Sequence, residues 1–189
     1  MTRAAMIMAG ARHGGAETFF VRLCTALAAA GEEVLAVIRR HPDRAAALRR
    51  VGLAPVELGF GGPLDLLTRP RLARALARFA PQVAMAWMNR AARFTPAGPW
   101  LRVGRLGGYY DLRHYAGFDH LVANTRALAA WIVRQGWPAA RVHLLPNFAP
   151  DFAGAAPADR AGLGVAADAF LVLAMGRLHP NKGFDVLIE

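Results

Sequence analysis

Residues 4–38 read AAMIMAGARHGGAETFFVRLCTALAAAGEEVLAVI, and the order of patterns in this one stretch decides the fold class. Ala4 to Ala9 is an apolar run of strand length, and Gly10 to Gly15 is a glycine loop. Ala16 to Ala30 then places Phe20, Leu23 and Leu27 at helical core spacing, and Gly31, able to take a positive φ, stops the helix. Val34 to Ile38 is a second apolar strand. Strand, helix and strand in that order predict a parallel β-α-β unit.

The same rhythm continues outward. Pro42 to Val51 reads as a short basic helix, Pro55 to Leu58 as a short strand and Gly59 to Pro63 as a turn-rich connection. Pro70 to Phe79 reads as a helix and Val83 to Trp87 as a buried strand, whereas residues 89–98 fit neither pattern. Leu101 to Leu106 reads as a strand, Gly107 to Gly117 as an aromatic-rich loop and His120 to Ala123 as a strand. Asn124 to Gln135 is a helix stopped by Gly136 and Pro138, and Val142 to Leu145 is a strand ending in Pro146 and Asn147. The prediction is an α/β protein with a Rossmann-like, doubly wound parallel sheet over residues 1–148. Composition then shifts to alanine, glycine, proline and aspartate over 149–169, an expected linker. Phe170 to Met175, Gly176 to Gly183 and Phe184 to Glu189 read as the first strand, loop and helix start of a second Rossmann-like domain over 170–189. One strand and two helical turns cannot bury their own apolar faces, so this piece is expected to need either a missing continuation or a partner surface, and to be poorly soluble alone.

Composition bounds the function. Hydrophobic residues at 55% with 19% charged belong to a folded globular protein rather than a disordered one. The single cysteine, Cys24, excludes a disulfide framework or cysteine-based metal site within one chain and favours a cytoplasmic setting. No stretch reads as a signal peptide or membrane span. The net charge of +10 is carried by arginine, with Lys182 the one lysine. Arginines cluster at 39, 40, 44, 49 and 50, and again at 69, 71, 74 and 78, the second set on one side of a helix. A solvated basic face, attraction to an anionic membrane surface and nucleic-acid binding compete to explain them. Nucleic acid ranks last, because few aromatics interleave the basic stretches and no recognised binding motif accompanies them.

Two loops carry candidate chemistry. The first, GARHGGAETFF, sets Gly14 and Gly15 at a helix start, at the strand end where doubly wound sheets bind ligands. Glycine there either lets a ligand approach backbone N–H groups or serves only the shape of a tight turn. The spacing departs from G-x-G-x-x-G, and the following strand ends in Arg39 and Arg40 rather than a ribose-binding carboxylate, which disfavours a nicotinamide enzyme. The second, FLVLAMGRLHPNKGFDVLIE, places Arg177 just past a strand and Lys182 just before a helix, both at the top edge of a second sheet. Two cations so placed can neutralise a diphosphate without a metal, with an ordinary polar turn as the competing reading. No G-x-S-x-G elbow is present and Cys24 sits mid-helix, so nucleophilic hydrolysis has little support.

Three segments together carry a family resemblance: GGAETFFVRLCTALAAAGEEV, VANTRALAAWIVRQGWPAARVHLLPNF and GRLHPNKGFDVLIE, in that order. The chain resembles the retaining, GT-B-fold glycosyltransferases of family 4. The resemblance implies two Rossmann-like domains across a cleft, the acceptor held by the first and the nucleotide sugar by the second. It implies that Arg177 and Lys182 bind the donor diphosphate, that Gly14 and Gly15 line the cleft, and that transfer retains configuration without cofactor or essential metal. Partners are then a nucleotide sugar, a glycan or lipid-linked acceptor and, peripherally, the anionic inner face of the cytoplasmic membrane, with no nucleic acid. Many relatives carry a histidine after the fifth strand, where this chain reads RLGGYYDLRHYAGFDH. His114 is the one catalytic candidate there, against a surface histidine as the competing reading, and Tyr109, Tyr110 and Arg113 are candidate acceptor contacts. This segment is similar to enzymes that build bacterial surface polysaccharide or lipopolysaccharide core. The family's paired glutamates would lie beyond Glu189, so the resemblance implies a truncated product or a piece of a longer enzyme that is inactive as it stands. A non-catalytic glycan- or anionic-lipid-binding module is the alternative.

Overall fold

The computed structural model describes residues 1–12, 14–62, 64–149, 151–176, 178 and 180–189, and divides into two units, Met1–Ala149 and Pro150–Glu189. The first unit runs β1 (Arg3–Met8), α1 (Gly15–Ala29), β2 (Glu33–Arg39), α2 (Pro42–Arg50), β3 (Val56–Leu58), α3 (Thr68–Phe79), β4 (Val83–Trp87), α4 (Met88–Phe94), β5 (Leu101–Leu106), β6 (His120–Ala123), α5 (Arg126–Arg134) and β7 (Val142–Leu144). All seven strands are parallel, in the order β3-β2-β1-β4-β5-β6-β7. β1 is therefore interior, with Ala4 opposite both Val34 and Val83.

Crossover helices cover a parallel sheet on both faces, which is why the strands read as apolar runs rather than as alternation. Met6, Met8 and Ile38 meet Phe19, Phe20, Leu23 and Cys24 of α1 and Leu48 of α2. On the opposite face Ile7, Val37, Leu106 and Leu121 meet Leu72 and Leu76 of α3, Ala91 of α4, and Leu128 and Ile132 of α5. Each such side chain, fully buried, contributes ~1.5–3 kcal/mol. Gly31 takes φ 83° where it ends α1. At Gly104 no larger residue fits, since a methyl would stand 2.5 Å from Tyr115 Cδ1 and 2.8 Å from Leu121 Cδ2.

Local chemistry sets the departures from the predicted boundaries. α3 starts two residues early because Asp65 accepts from the Thr68 N–H at 2.9 Å, the Thr68 hydroxyl at 2.6 Å and the Gly61 N–H at 2.7 Å. α5 starts late because Thr125 Oγ1 caps it, accepting from the Leu128 N–H at 3.1 Å. The unassigned stretch from 89 contains α4, whose buried residues are the two alanines Ala91 and Ala92, too narrow a stripe for periodicity to mark. Within the predicted loop, Leu112–Tyr115 forms a 3₁₀ turn capped by Asp111, which accepts from the Arg113 N–H at 3.0 Å.

The second unit corrects one expectation. Residues 170–175 form no strand, and Phe170, Leu173 and Met175 are 93%, 85% and 95% exposed. A strand exists only by pairing, and among the described residues of this unit no other strand is present to pair with it. The predicted loop and helix start do form, as a 3₁₀ turn at Pro180–Lys182 and α6 at Phe184–Ile188, joined by Gly183 at φ 61°. Among the described residues no helix is long and apolar enough to cross a membrane.

Candidate functional site at the carboxyl edge of the sheet

The chain winds from β1 outward through β2 to β3, then returns to the other side of β1 as β4. Neighbouring strands that lead away in opposite directions leave a crevice at their carboxyl ends, here between the exits of β1 and β4. The β1 exit is held by two charged side chains that sequence reasoning had not assigned to it. Glu17, in the first turn of α1, is buried and its Oε1 accepts from the Ala11 N–H at 2.8 Å. Arg44, from α2, is also buried and donates to the carbonyls of Ala11 at 2.8 Å and Arg12 at 3.5 Å. Burial lowers the Arg44 pKa, and the Glu17 charge pulls it back up. Arg44 is thus no part of a solvated basic face. Its own N–H donates to His41 Nδ1 at 3.2 Å, which caps α2.

This clamp explains the glycines one by one. A methyl on Gly10 would overlap Glu17 Oε1 and stand 2.9 Å from Met8 Sδ, and a methyl on Gly14 would overlap Glu17 Oε2. Both positions are glycine because the carboxylate lies against the loop. Beside Gly15 the space is open, with no atom within 4 Å of where a Cβ would stand.

Across the crevice β4 ends in a strained residue, Met88 at φ 61°, a left-handed conformation that costs a side chain such as this ~1–2 kcal/mol. The β5 exit supplies the predicted aromatic loop, whose members separate. Tyr110 is half-buried, packs against the core on the α3–α5 face, and its phenol pKa is raised by burial and then by the Glu17 charge. Tyr109 is exposed and sets its ring edge-on against Trp131 of α5, centroids 5.2 Å apart. Arg113 closes on Asp111 at 2.7 Å, and this partner first, then the Arg113 N–H, holds the Asp111 carboxyl down at about 2. His114 lies in the same turn, its charge acting on Asp111.

One further residue escaped the sequence reading. Arg105 of β5 is 2% exposed and forms no salt bridge among the described residues. Its Nη1 donates to the Leu106 carbonyl at 3.0 Å, and its Nη2 to the Leu145 carbonyl at 3.2 Å and Asn147 Oδ1 at 2.5 Å. The guanidinium also lies 5.0 Å from the Phe19 ring and 5.1 Å from the Trp87 ring. Burial pushes its pKa down to about 10, so it keeps its charge at neutrality. Arg105 thereby straps the β7 exit across the sheet edge, where Phe148 packs edge-on against Phe19 at 4.8 Å and its carbonyl accepts from Arg22 Nη1 at 3.4 Å. The available signal was an arginine on the inward parity of an apolar strand, two positions after Val103.

In the second unit Lys182 is exposed at the end of the 3₁₀ turn, and its Cδ would lie 3.7 Å from a methyl on Gly176. Arg177 lies outside the described residues. Among the described residues no group of three or more histidine, cysteine, aspartate or glutamate side chains could hold a metal ion.

Residues 13–150 match the family model described as Glycosyltransferase Family 4. The chain belongs to glycosyltransferase family 4. Within that family it is 39% identical over 181 residues to the lipopolysaccharide core biosynthesis glycosyltransferase LpsD of Rhizobium meliloti, covering 93% of this chain and 52% of that protein. It is 37% identical over 184 residues to LpsE of the same organism, covering 94% and 53%. This family 4 chain thus spans about half the length of the curated relatives it matches. Among solved structures, Anabaena HepE in complex with UDP-glucose superposes with a TM-score of 0.72 at 18% identity, over 98% of this chain and 56% of that one. A putative UDP-N-acetylglucosamine 2-epimerase from Listeria monocytogenes superposes at 0.56 with 14% identity, over 75% and 44%. At these identities the two likenesses establish the Rossmann-like α/β fold and nothing finer.

Proposed function

We propose that this family 4 chain is the acceptor side of a glycosyltransferase that moves a sugar from a nucleoside-diphosphate sugar to a glycan or lipid-linked acceptor, with retention of configuration, in the synthesis of lipopolysaccharide core or a related surface polysaccharide. The observation that carries the reading is similarity across nearly the whole chain to two lipopolysaccharide core glycosyltransferases, at 39% and 37% identity. In this reading residues 1–148 bind acceptor, 149–169 link, and 170–189 begin the donor-binding part. Gly14 and Gly15 border the reacting groups, where the open space beside Gly15 admits a ligand to the backbone. Arg177 and Lys182 neutralise the departing nucleoside diphosphate, so that no metal or other cofactor is required. Removing one such preorganised charge contact costs ~2.7–4 kcal/mol of transition-state stabilisation. Tyr110 is favoured as the acceptor contact over Tyr109, whose ring lies against Trp131, and over Arg113, which is paired with Asp111.

Reaction at the inner face of the cytoplasmic membrane fits the surface. Arg69, Arg71, Arg74 and Arg78 are all exposed on α3, and Leu64, Leu66 and Leu67 just before it are 94%, 80% and 59% exposed. A cationic face beside protruding leucines favours contact with an anionic bilayer. Deleting the gene and weighing the lipopolysaccharide core by mass spectrometry tests the functional reading. Loss of sugar from the core supports it, and a core of unchanged mass refutes it.

A further inference from the structure

A cavity of about 330 Å³ lies at the carboxyl ends of β1 and β2, on the far side of the glycine loop from the β1–β4 crevice. Gly10 and Ala11 form one wall and the start of α2 another. Four of its lining residues are arginines, Arg12, Arg39, Arg40 and Arg44, joined by His41, and the only acid among them is Asp43. On protein surfaces charges of both signs are ordinarily interspersed, and a single-sign cluster is the exception. Here the described residues place every salt bridge elsewhere, at Arg3–Glu33, Arg49–Glu57 and Arg113–Asp111. Arg44 is fixed in place by the carbonyls of Ala11 and Arg12, whereas Arg12, Arg39 and Arg40 are exposed and enter no ion pair among the described residues.

We infer that this cavity is a subsite for an anionic substituent, a phosphate or carboxylate, carried by the acceptor saccharide. The inference deepens the acceptor role proposed above and rests on it. A concave wall of guanidinium groups matches the oxygens of such groups with paired N–H donors, and the fixed charge of Arg44 raises the local potential without needing to touch the ligand. The volume, at the lower end of small-molecule sites, suits a charged monosaccharide unit rather than a whole nucleotide. A bilayer headgroup is the poorer match, because none of the exposed leucines near α3 borders the cavity. The subsite shares the Gly10–Ala11 loop with the crevice, so an acceptor anchored by its anion here would lie beside the place of transfer.

The test compares glucose 6-phosphate and glucuronate with glucose, by titration calorimetry on the wild-type chain and on Arg39→Gln/Arg40→Gln. An Arg50→Gln/Arg134→Gln variant, which removes the same charge elsewhere, serves as control, and circular dichroism checks that each variant folds. At least one of the sugar anions is expected to bind the wild type and the control while glucose does not, and the Arg39→Gln/Arg40→Gln pair is expected to weaken binding roughly 10- to 100-fold. Equal binding by both variants, or no binding of either anion to the wild type, overturns the inference. Displacement of the sugar anion by UDP would reassign the cavity to the donor, and displacement by phosphatidylglycerol vesicles would reassign it to the membrane; either overturns it. Failure here with an altered core in the gene deletion strikes the subsite alone, whereas an unaltered core strikes the functional reading whatever the titration shows.

Discussion

Replacing Arg105 with methionine should destabilise the first unit by a modest, calculable amount. Three acceptors lose a charged donor, the Leu106 and Leu145 carbonyls and Asn147 Oδ1, at ~1.5 kcal/mol each by the lower figure for bonds to charged groups. Lost attraction to the Phe19 and Trp87 rings adds ~0.5–1 kcal/mol. Against this stands the relieved cost of keeping the guanidinium charged in a buried place. The fall of its pKa from 12.5 to about 10 corresponds to ~3 kcal/mol at ~1.36 kcal/mol per tenfold change. The balance is a loss of about 2 kcal/mol, or ~4–8 °C in Tm for a unit of this size. Arg105→Lys should be worse than Arg105→Met, because a compact ammonium keeps the burial cost but cannot span three acceptors. Thermal melts followed by far-UV circular dichroism measure both, and hydrogen exchange should show residues 145–148 losing protection. A methionine variant melting within about 1 °C of wild type, or a lysine variant milder than methionine, would refute the account of Arg105 as the strap of the β7 exit.

Gly10→Ala should displace the Glu17 carboxylate and break its bond with the Ala11 N–H, costing ~1–3 kcal/mol as overpacking does; an unchanged melt would show that the clamp is not tight. Asp65 has its carboxyl held at about 2, below the ordinary 3.8, first by the Thr68 hydroxyl and then by the Gly61 and Thr68 N–H groups. A carboxyl with a depressed folded-state pKa contributes stability above its unfolded value and loses it as the pH falls toward the folded one. The Tm difference between wild type and Asp65→Ala should therefore be full above pH 3.8 and close as the pH falls toward about 2, and a gap independent of pH in acid contradicts this. Burial raises the Cys24 thiol pKa, so a disulfide reagent should label it only after unfolding; fast labelling of the native chain would place it outside the core. Substituting serine for Leu64, Leu66 and Leu67 should reduce co-sedimentation with phosphatidylglycerol vesicles, and undiminished sedimentation would remove the membrane from the proposal.

Where apolar periodicity was strong, the sequence was a sufficient guide: Val83–Trp87, Leu101–Leu106 and His120–Ala123 are strands at their predicted limits. The failures share a physical cause. Periodicity reports the burial a residue seeks for itself, and it is silent on conditions met by distant residues. Residues 170–175 have the pattern of a strand, and among the described residues of their unit no other strand is present to pair with them. Glu17 and Arg105 were assigned no role and Arg44 stood in a basic cluster, but each is drawn inward by hydrogen bonds to loop backbone, which for Arg44 and Arg105 is remote in the sequence as well. Gly14, read as open to a ligand or required by a turn, turns out to be required by a carboxylate. The site candidates after β5 were legible as a group, yet only the fold could separate Tyr110 from Tyr109, which lies against Trp131.

The interior place of β1 bears on how the chain emerges from the ribosome. This first-made strand gains β2 early, but its second neighbour, Val83–Trp87, is synthesised roughly 80 residues later, a delay of about 4–16 s at ordinary elongation rates of ~5–20 residues per second. Throughout that interval Ala4–Met8 offers one bare backbone edge to any passing strand. Newborn chains on neighbouring ribosomes are the nearest source of one, so yield in overexpression should rise when chaperones are supplied and fall when elongation is slowed.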